Sequence, residues 1–273
     1  MIGALIAAVF LGLFVGVLSG LLGIGGGVVM IPAFRLLFGM SALGSTATSL
    51  FTIIPTSISG AISHLRNRTC VPKLGLALGI GGACTSPLGV MLANRSPAWL
   101  VMLAAAAVVA YSAITMFRKA LQAPKTGGKS ATQTESANSP APVPEFRPER
   151  RHLAIGLGIG LAAGVISGYV GVGGGFIMIP LMLALIGLPM RQASGTSLIA
   201  VMILAIPGAV SQGMLGNVDF VVGIATACGT IPGAFLGAQL TSRVRERTLR
   251  FIFAFFLTAA AVLIALKEFG VLG

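Results

Sequence analysis

The stretch GVLSGLLGIGGGVVMIP, at residues 16–32, occurs a second time as GVISGYVGVGGGFIMIP at residues 164–180. Eleven of the 17 positions are identical, at a constant offset of 148 residues. The offset continues through Thr48-Ser49-Leu50, which matches Thr196-Ser197-Leu198. Apolar segments resemble one another by chance, but a shared Gly-x-Gly-Gly-Gly followed by Met-Ile-Pro is more specific than that. The chain is therefore expected to be an internal duplication.

The composition predicts an all-α polytopic membrane protein. Of the 273 residues, 56% are hydrophobic and 9% are charged, and the mean hydropathy is +0.99. A soluble domain carries about 25% charged residues, whereas an apolar helix of about 20 residues spans the hydrocarbon layer of a bilayer. The chain has eight apolar runs of about this length or longer, at residues 2–38, 43–63, 74–94, 98–117, 153–187, 193–214, 220–240 and 249–266.

The charge balance points to the lipid bilayer rather than to nucleic acid. Eighteen Lys and Arg residues face six Asp and Glu residues, a net charge of +12. The basic residues lie in short segments between the apolar runs, which is the pattern of membrane topology and not of a phosphate-binding face. We therefore expect the bilayer, and no nucleic acid, as a partner.

A polar segment divides the chain. Residues 118–151 are rich in Pro, Ser, Thr, Gln and Lys and contain too few apolar residues to form a core, so they predict a flexible linker. The predicted domains are a transmembrane repeat at 1–117, this linker, and a second transmembrane repeat at 152–273. In the later part of the repeats, glycine and cysteine spacing suggests that the offset falls to about 144, pairing Gly79 with Gly223.

The first apolar run of each repeat is too long for one crossing. About 36 helical residues would extend about 54 Å, against a hydrocarbon core about 30 Å thick. Glycines at 23–27 and 171–175 weaken the helix in its middle,. Each run is therefore expected to form a helical hairpin broken at the glycines, followed by three transmembrane helices. Whether the hairpin is re-entrant or crosses fully stays open.

The distribution of basic residues predicts that the repeats are inverted relative to each other. The linker carries seven basic residues from Arg118 to Arg151, which places it in the cytoplasm,. Counting back two spans puts the basic loop at 64–73 on the same side. Its counterpart at 217–219 has no basic residue, whereas the segment at 243–250 holds four arginines. A loop that is basic in one repeat is therefore neutral in the other, as opposite orientations of the two repeats in the membrane require.

Candidate binding groups occur at equivalent positions in the two halves. Broken helices at a repeat interface commonly form the substrate site of secondary transporters, and free backbone N–H groups near a helix N-terminus attract anions. Hydroxyl, imidazole and amide groups in the second run of each repeat complete the set. The candidate substrate-binding residues are Gly23, Gly25, Gly26, Gly27, Thr48, Ser49 and His64, with Gly171, Gly173, Gly174, Gly175, Thr196, Ser197 and Gln212.

Each candidate also has a structural alternative. The glycines could serve only close helix packing, and the hydroxyls could bond helix carbonyls instead of substrate. His64, a candidate proton carrier, could instead be an interfacial side chain beside Arg66 and Arg68. No catalytic constellation, metal-ligand set or cofactor motif is present, so neither an enzyme nor a cofactor is expected.

The glycine segments, the Thr-Ser-Leu motifs and the eight apolar runs around a polar linker resemble the TauE/SafE sulfite exporter family. The resemblance covers essentially everything except residues 118–151. It implies export of a small sulfur-containing anion, such as sulfite or an organosulfonate like sulfoacetate, across a bacterial inner membrane. By position, the family's glycine-rich segments correspond to Gly23–Gly27 and Gly171–Gly175.

The leading hypothesis is a secondary transporter that works by alternating access. The alternatives are a passive anion channel and a non-transporting membrane scaffold subunit. A proton or a sodium ion are the candidate coupling ions, and a homodimer is among the open oligomeric states. The sequence does not select one anion, one coupling ion or one oligomeric state.

Overall fold

Ten helices form the part of the chain described by the computed structural model, which covers residues 2–122, 146, 148–241, 244 and 246–268. The all-α prediction is confirmed. The helices of the first half are α1 (Ile2–Leu22), α2 (Gly27–Leu37), α3 (Ala42–Arg66), α4 (Pro72–Arg95) and α5 (Ala98–Gln122). Those of the second half are α6 (Arg150–Val170), α7 (Gly175–Leu181, continued by a π-helical turn Met182–Ile186), α8 (Met190–Met214), α9 (Phe220–Thr241) and α10 (Glu246–Glu268).

The two halves match helix for helix. Each helix of the second half begins 148 residues after its counterpart in the first, from Ile2 and Arg150 to Ala98 and Glu246. The predicted change of offset to about 144 is therefore wrong, and Gly223 corresponds to Gly75. The mistake has a physical cause: a shift of four residues is close to one helical turn, so it keeps small residues on the same helix face.

The first helix of each half packs along the fourth helix of the other half. Helices α1 and α9 run parallel, as do α6 and α4. The contact surfaces are lined by glycine and other small residues, which lets the backbones approach closely, as is common in membrane helices. A Cβ atom at Gly16, for example, would lie 2.5 Å from the Thr230 carbonyl oxygen. The halves are thus interwoven and are not two separate bundles.

Helices α3 and α8 pack against each other in the middle of the molecule. They run antiparallel, because a Cβ atom at Gly208 would lie near Leu50 and one at Gly60 would lie near Leu198. Helix α3 also packs in parallel against α9, where Thr56 Oγ1 donates to Thr230 Oγ1 at 2.6 Å. Helices α5 and α10 pack together as a further pair.

The chain of the first half turns back at its glycine break. Helix α1 ends at Leu22, and the side chains of Met30 and Phe34 in α2 pack in one apolar cluster with Val15 of α1. Residues 3–22 are long and apolar enough to cross a membrane. The 11 residues of α2 extend only about 16 Å at 1.5 Å per residue. One arm can therefore span the bilayer, and the other cannot.

The surface and the helix lengths together describe a multi-pass membrane protein. Among the described residues, six helices are long and apolar enough to cross a membrane, at residues 3–22, 72–95, 98–115, 150–170, 190–214 and 220–241. Large apolar side chains such as Phe10, Phe14 and Phe255 point outward, while the small residues lie at helix contacts. Outward apolar surface on this scale suits lipid and not water.

The helices extend into both ends of the segment predicted as a linker. Helix α5 continues to Gln122, and α6 begins at Arg150. Residues 123–145 and 147 lie outside the described residues. The flexible linker and its cytoplasmic side therefore stay predictions, as do the domain limits drawn from them.

Candidate functional site

The two glycine segments are the points where the first helix of each half stops and a second one begins. Helix α1 ends at Leu22 and α2 begins at Gly27, and the second half repeats this between Val170 and Gly175. The break contains left-handed residues at matching positions, which only glycine adopts without strain. The positive φ angles are at Gly23, Gly25 and Gly26, and at Gly171, Gly173 and Gly174.

The two breaks are in direct contact. A Cβ atom at Gly27 would lie 2.7 Å from the Val172 carbonyl oxygen, and one at Gly175 would lie 2.6 Å from the Gly23 carbonyl oxygen. Side chains larger than hydrogen would therefore separate the two segments. Because all ten residues of the two breaks are buried, the structure brings the two predicted glycine sites together into one central junction.

The centres of α3 and α8 flank this junction. A Cβ atom at Gly25 would lie 3.0 Å from Val201 Cγ1 and 3.3 Å from Ile53 Cγ2. At Gly173 the same two side chains are again the nearest, with Ile53 Cδ1 at 2.8 Å. Ile53 and Val201 lie 148 residues apart, so the junction has the approximate two-fold symmetry of the repeat.

The serine of each Thr-Ser-Leu motif binds the glycine break of the other half. Ser197 Oγ donates to the Gly23 carbonyl oxygen at 2.7 Å, and Ser49 Oγ donates in the same way to the Gly171 carbonyl oxygen. Each hydroxyl also lies within hydrogen-bond distance of a carbonyl in its own helix. These two serines therefore hold the breaks in place across the repeat interface.

The threonine of each motif accepts a hydrogen bond from the backbone of a loop in the other half. Thr48 Oγ1 accepts from the Asp219 N–H at 2.9 Å, and Thr196 Oγ1 accepts from the Val71 N–H at 2.9 Å. Both acceptors are fully buried. The Thr-Ser pairs thus have structural bonds in this conformation, and these bonds cross between the halves.

His64 lies away from the glycine junction, near the end of α3. Its Nε2 donates to the Gly20 carbonyl oxygen at 2.9 Å, and its Nδ1 lies 2.7 Å from Thr69 Oγ1. The side chain is fully buried, so it does not reach outward beside Arg66 and Arg68 as a snorkelling side chain would. Both ring nitrogens are engaged, so His64 connects α1, α3 and the loop that follows α3.

Gln212, the counterpart of His64, lies at the opposite end of the antiparallel pair α3 and α8. Its Oε1 accepts from Asn217 Nδ2 at 2.7 Å, and Asn94 Nδ2 lies 3.5 Å away. Its Nε2 is buried without a partner among the described residues. The two residues occupy equivalent places in the two halves, but they do not share a site.

Two residues near the first glycine break were not among the predicted candidates. Ser19 and Ser57 are fully buried, and neither hydroxyl has a hydrogen-bond partner among the described residues. A usable signal was present for Ser19, because it lies inside the repeated motif and matches Ser167. Ser57 matches Ala205, so the repeat gave no indication of it.

The described residues hold no group of three or more His, Cys, Asp or Glu side chains that could bind a metal ion. The polar groups at the junction are backbone amides and hydroxyls. The six apolar spans of the described residues and the two broken helices that meet at a repeat interface are features of a polytopic membrane protein and are common in the transporter class,.

The chain belongs to the family described as sulfite exporter TauE/SafE, which matches residues 8–264. It is 32% identical over 246 residues to the probable membrane transporter protein YdhB of Bacillus subtilis, covering 90% of this chain and 93% of that one. It is 26% identical over 253 residues to the probable membrane transporter protein YunE of the same organism, covering 88% and 90%. No solved structure matches the chain at a significant level.

Proposed function

We propose that this protein is a secondary transporter that exports a small sulfur-containing anion, sulfite or an organosulfonate such as sulfoacetate. The observation that carries the proposal is the buried junction of two glycine breaks, where several backbone amides have no acceptor among the described residues. Such amides, at the start of a helix, stabilise negative charge without a fixed cation.

The family membership supports the sulfur-containing substrate class, since the family is described as sulfite exporters. The distribution of acidic residues supports an anion over a cation. All six Asp and Glu residues lie at position 135 or later, in the central segment, at helix starts or near the end of the chain. A carboxylate cage for a cation is therefore not available at the junction.

We further infer that the halves are inverted repeats that exchange access between the two sides of the membrane. Two observations support this. Helices α3 and α8, equivalent in the repeat, run antiparallel, and each first helix runs parallel to the fourth helix of the other half. The basic residues change place between equivalent loops in the same sense,. Movement of one half against the other would open the junction alternately.

We place the protein in the bacterial plasma membrane with residues 118–151 in the cytoplasm. The similar proteins are bacterial, and the seven basic residues from Arg118 to Arg151 favour the cytoplasmic side,. A proton or a sodium ion would supply the driving force.

The test is transport by the purified full-length protein in proteoliposomes, with protein-free liposomes as the control. Radiolabelled sulfite is followed under an imposed proton gradient, then under an imposed sodium gradient. Accumulation against the sulfite gradient under either condition is the expected result. Flux that only ever runs downhill would identify a passive anion channel instead. No flux of sulfite or sulfoacetate under any condition would contradict the transporter proposal.

A further inference from the structure

The start of α2 presents a continuous row of unbonded amides. None of the five backbone N–H groups from Ile24 to Val28 has a hydrogen-bond acceptor among the described residues; the first bonds of α2 are made by Val29 and Met30 to the Gly26 carbonyl oxygen. All five residues are buried. Buried amides without acceptors are rare in folded proteins because each one costs free energy. This row is therefore a place where a ligand with several acceptor oxygens would be stabilised.

Two buried hydroxyls next to this row also lack partners. Ser57 Oγ lies 3.7 Å from the position of a Cβ atom on Gly25, and the Ser19 Cβ atom lies 3.6 Å from that position on Gly26. Both serines are fully buried, and their hydroxyls have no hydrogen-bond partner among the described residues. They lie on different helices, α3 and α1, and adjoin the break at Gly25 and at Gly26 respectively.

The second glycine break is built differently. Ala205 stands where the first half has Ser57. The Gly175 N–H donates to the Gly173 carbonyl oxygen at 2.9 Å, whereas the equivalent N–H of Gly27 has no acceptor. The second break therefore lacks two donors that the first one has, the free Gly175 amide and a counterpart of the Ser57 hydroxyl. Its other amides and the hydroxyl of Ser167 are buried without partners among the described residues, as in the first break.

We propose that the anion binds asymmetrically, on the first glycine break alone. Its oxygens accept from the amides between Gly25 and Val28 and from the hydroxyls of Ser57 and Ser19. Several amide and hydroxyl donors at one break suit an oxyanion with three terminal oxygens, such as sulfite or a sulfonate group. Ile53 and Val201, which line Gly25, form an apolar wall beside it. The second break supports the first through the contact of Gly175 with Gly23. The inference rests on the proposed export of such anions.

The experiment measures binding of sulfite and of sulfoacetate to the purified full-length protein by calorimetry, alongside transport in proteoliposomes. The variant is Ser57→Ala, and its matched control is Ser45→Ala, which removes another fully buried, unpartnered hydroxyl from the same helix. A hydrogen bond to a charged group contributes about tenfold or more to affinity. We therefore expect S57A to raise Kd about tenfold or more, S57T to restore binding, and S45A to bind like the wild type.

Two further variants test the asymmetry and cover the case in which S57A does not fold. A205S in the S57A background is expected not to restore binding, because that position belongs to the second break. If S57A does not yield folded protein, S19A is expected to show the same weakened binding. If S57A and S45A bind the anion with the same Kd, the asymmetric site is overturned while the transport proposal stands; S19A takes the place of S57A if S57A does not fold. Restoration of binding by A205S would also overturn the asymmetric site. A wild-type protein that neither binds nor moves either anion would overturn the transport proposal itself.

Discussion

At the residue scale, the junction depends on glycines that serve two different purposes. Gly25 and Gly26 adopt positive φ angles of 78° and 87°, which L-residues rarely adopt. Gly27 and Gly175 instead allow the backbones of the two breaks to touch. The same five-residue motif therefore supplies both a sharp end to one helix and a close approach to the other half.

The first prediction concerns Gly25. A methyl group there would lie 3.0 Å from Val201 Cγ1, and the positive φ angle would add backbone strain. G25A is therefore expected to lower the rate of sulfite transport about tenfold or more. The amount of protein in the membrane is expected to stay normal. The control is G39A, which has a similar positive φ but nothing within 4 Å of the added methyl group. Equal transport by the two variants would mean that backbone strain alone, and not the junction, limits the rate.

The second prediction concerns His64. The variant H64Q makes the two halves alike at this position, and glutamine cannot bond both Gly20 and Thr69 in the geometry of the ring. We expect a stability loss of about 1–3 kcal/mol, seen as a lower Tm in detergent. We expect the pH profile of transport to stay unchanged, because both ring nitrogens are engaged in hydrogen bonds and a buried charge on the ring would be costly,. A shifted pH profile in H64Q would assign a proton-carrying role to this histidine.

At the scale of elements, the close pairs α1 with α9 and α6 with α4 depend on residues without bulky side chains. In lipid, apolar side chains gain little by leaving the bilayer, so helices associate through close packing of small residues. A Cβ atom on Gly160 of α6 would overlap the Leu78 carbonyl oxygen of α4. Most glycines in these four helices therefore serve close packing.

The third prediction compares two glycines of α6. G160A forces the two helices apart and is expected to lower stability by about 1–3 kcal/mol, measured as a fall in Tm of the purified protein. G158A, two residues earlier, places its methyl group where nothing lies within 4 Å and is expected to leave Tm unchanged or to raise it slightly. A fall of equal size in both variants would show that helix propensity or lipid contact, and not the α4 interface, determines the effect.

At the scale of the whole molecule, the interwoven halves make a single unit. Each half supplies bonds that the other requires: Ser197 binds the first break, and Ser49 binds the second. The loop contacts of Thr48 and Thr196 repeat this exchange farther from the centre. A movement that opens one side of the junction must therefore rearrange bonds from both halves at once, which suits a two-state transition.

The fourth prediction tests the inverted topology. Asn67 and Leu215 are exposed and lie 148 residues apart, at the equivalent ends of α3 and α8. In a background with Cys70, Cys84 and Cys228 replaced by alanine, N67C is expected to react with a membrane-impermeant maleimide only from the cytoplasmic side. L215C is expected to react only from the opposite side. Labelling of both from one side would show that the repeats are parallel.

The sequence by itself determined the membrane class, the duplication and the position of the helix breaks. These features are local: apolar length predicts a spanning helix, and glycines at 23–27 and 171–175 weaken any helix that contains them. The basic residues added a preference for inversion, because their placement depends on the side of the membrane and not on packing. The family resemblance was also readable from these motifs, and the match over residues 8–264 confirms it.

Only the tertiary structure decided which helices are neighbours and what the polar residues bind. Helices that are apolar on all sides carry no pattern that selects a partner, so the pairing of α1 with α9 could not be predicted from hydropathy. The bond from Ser197 to Gly23 joins residues 174 positions apart, and the unpartnered hydroxyl of Ser57 stands where the second half has Ala205. Contacts at such separation depend on the packing of the whole bundle, which local sequence patterns do not record.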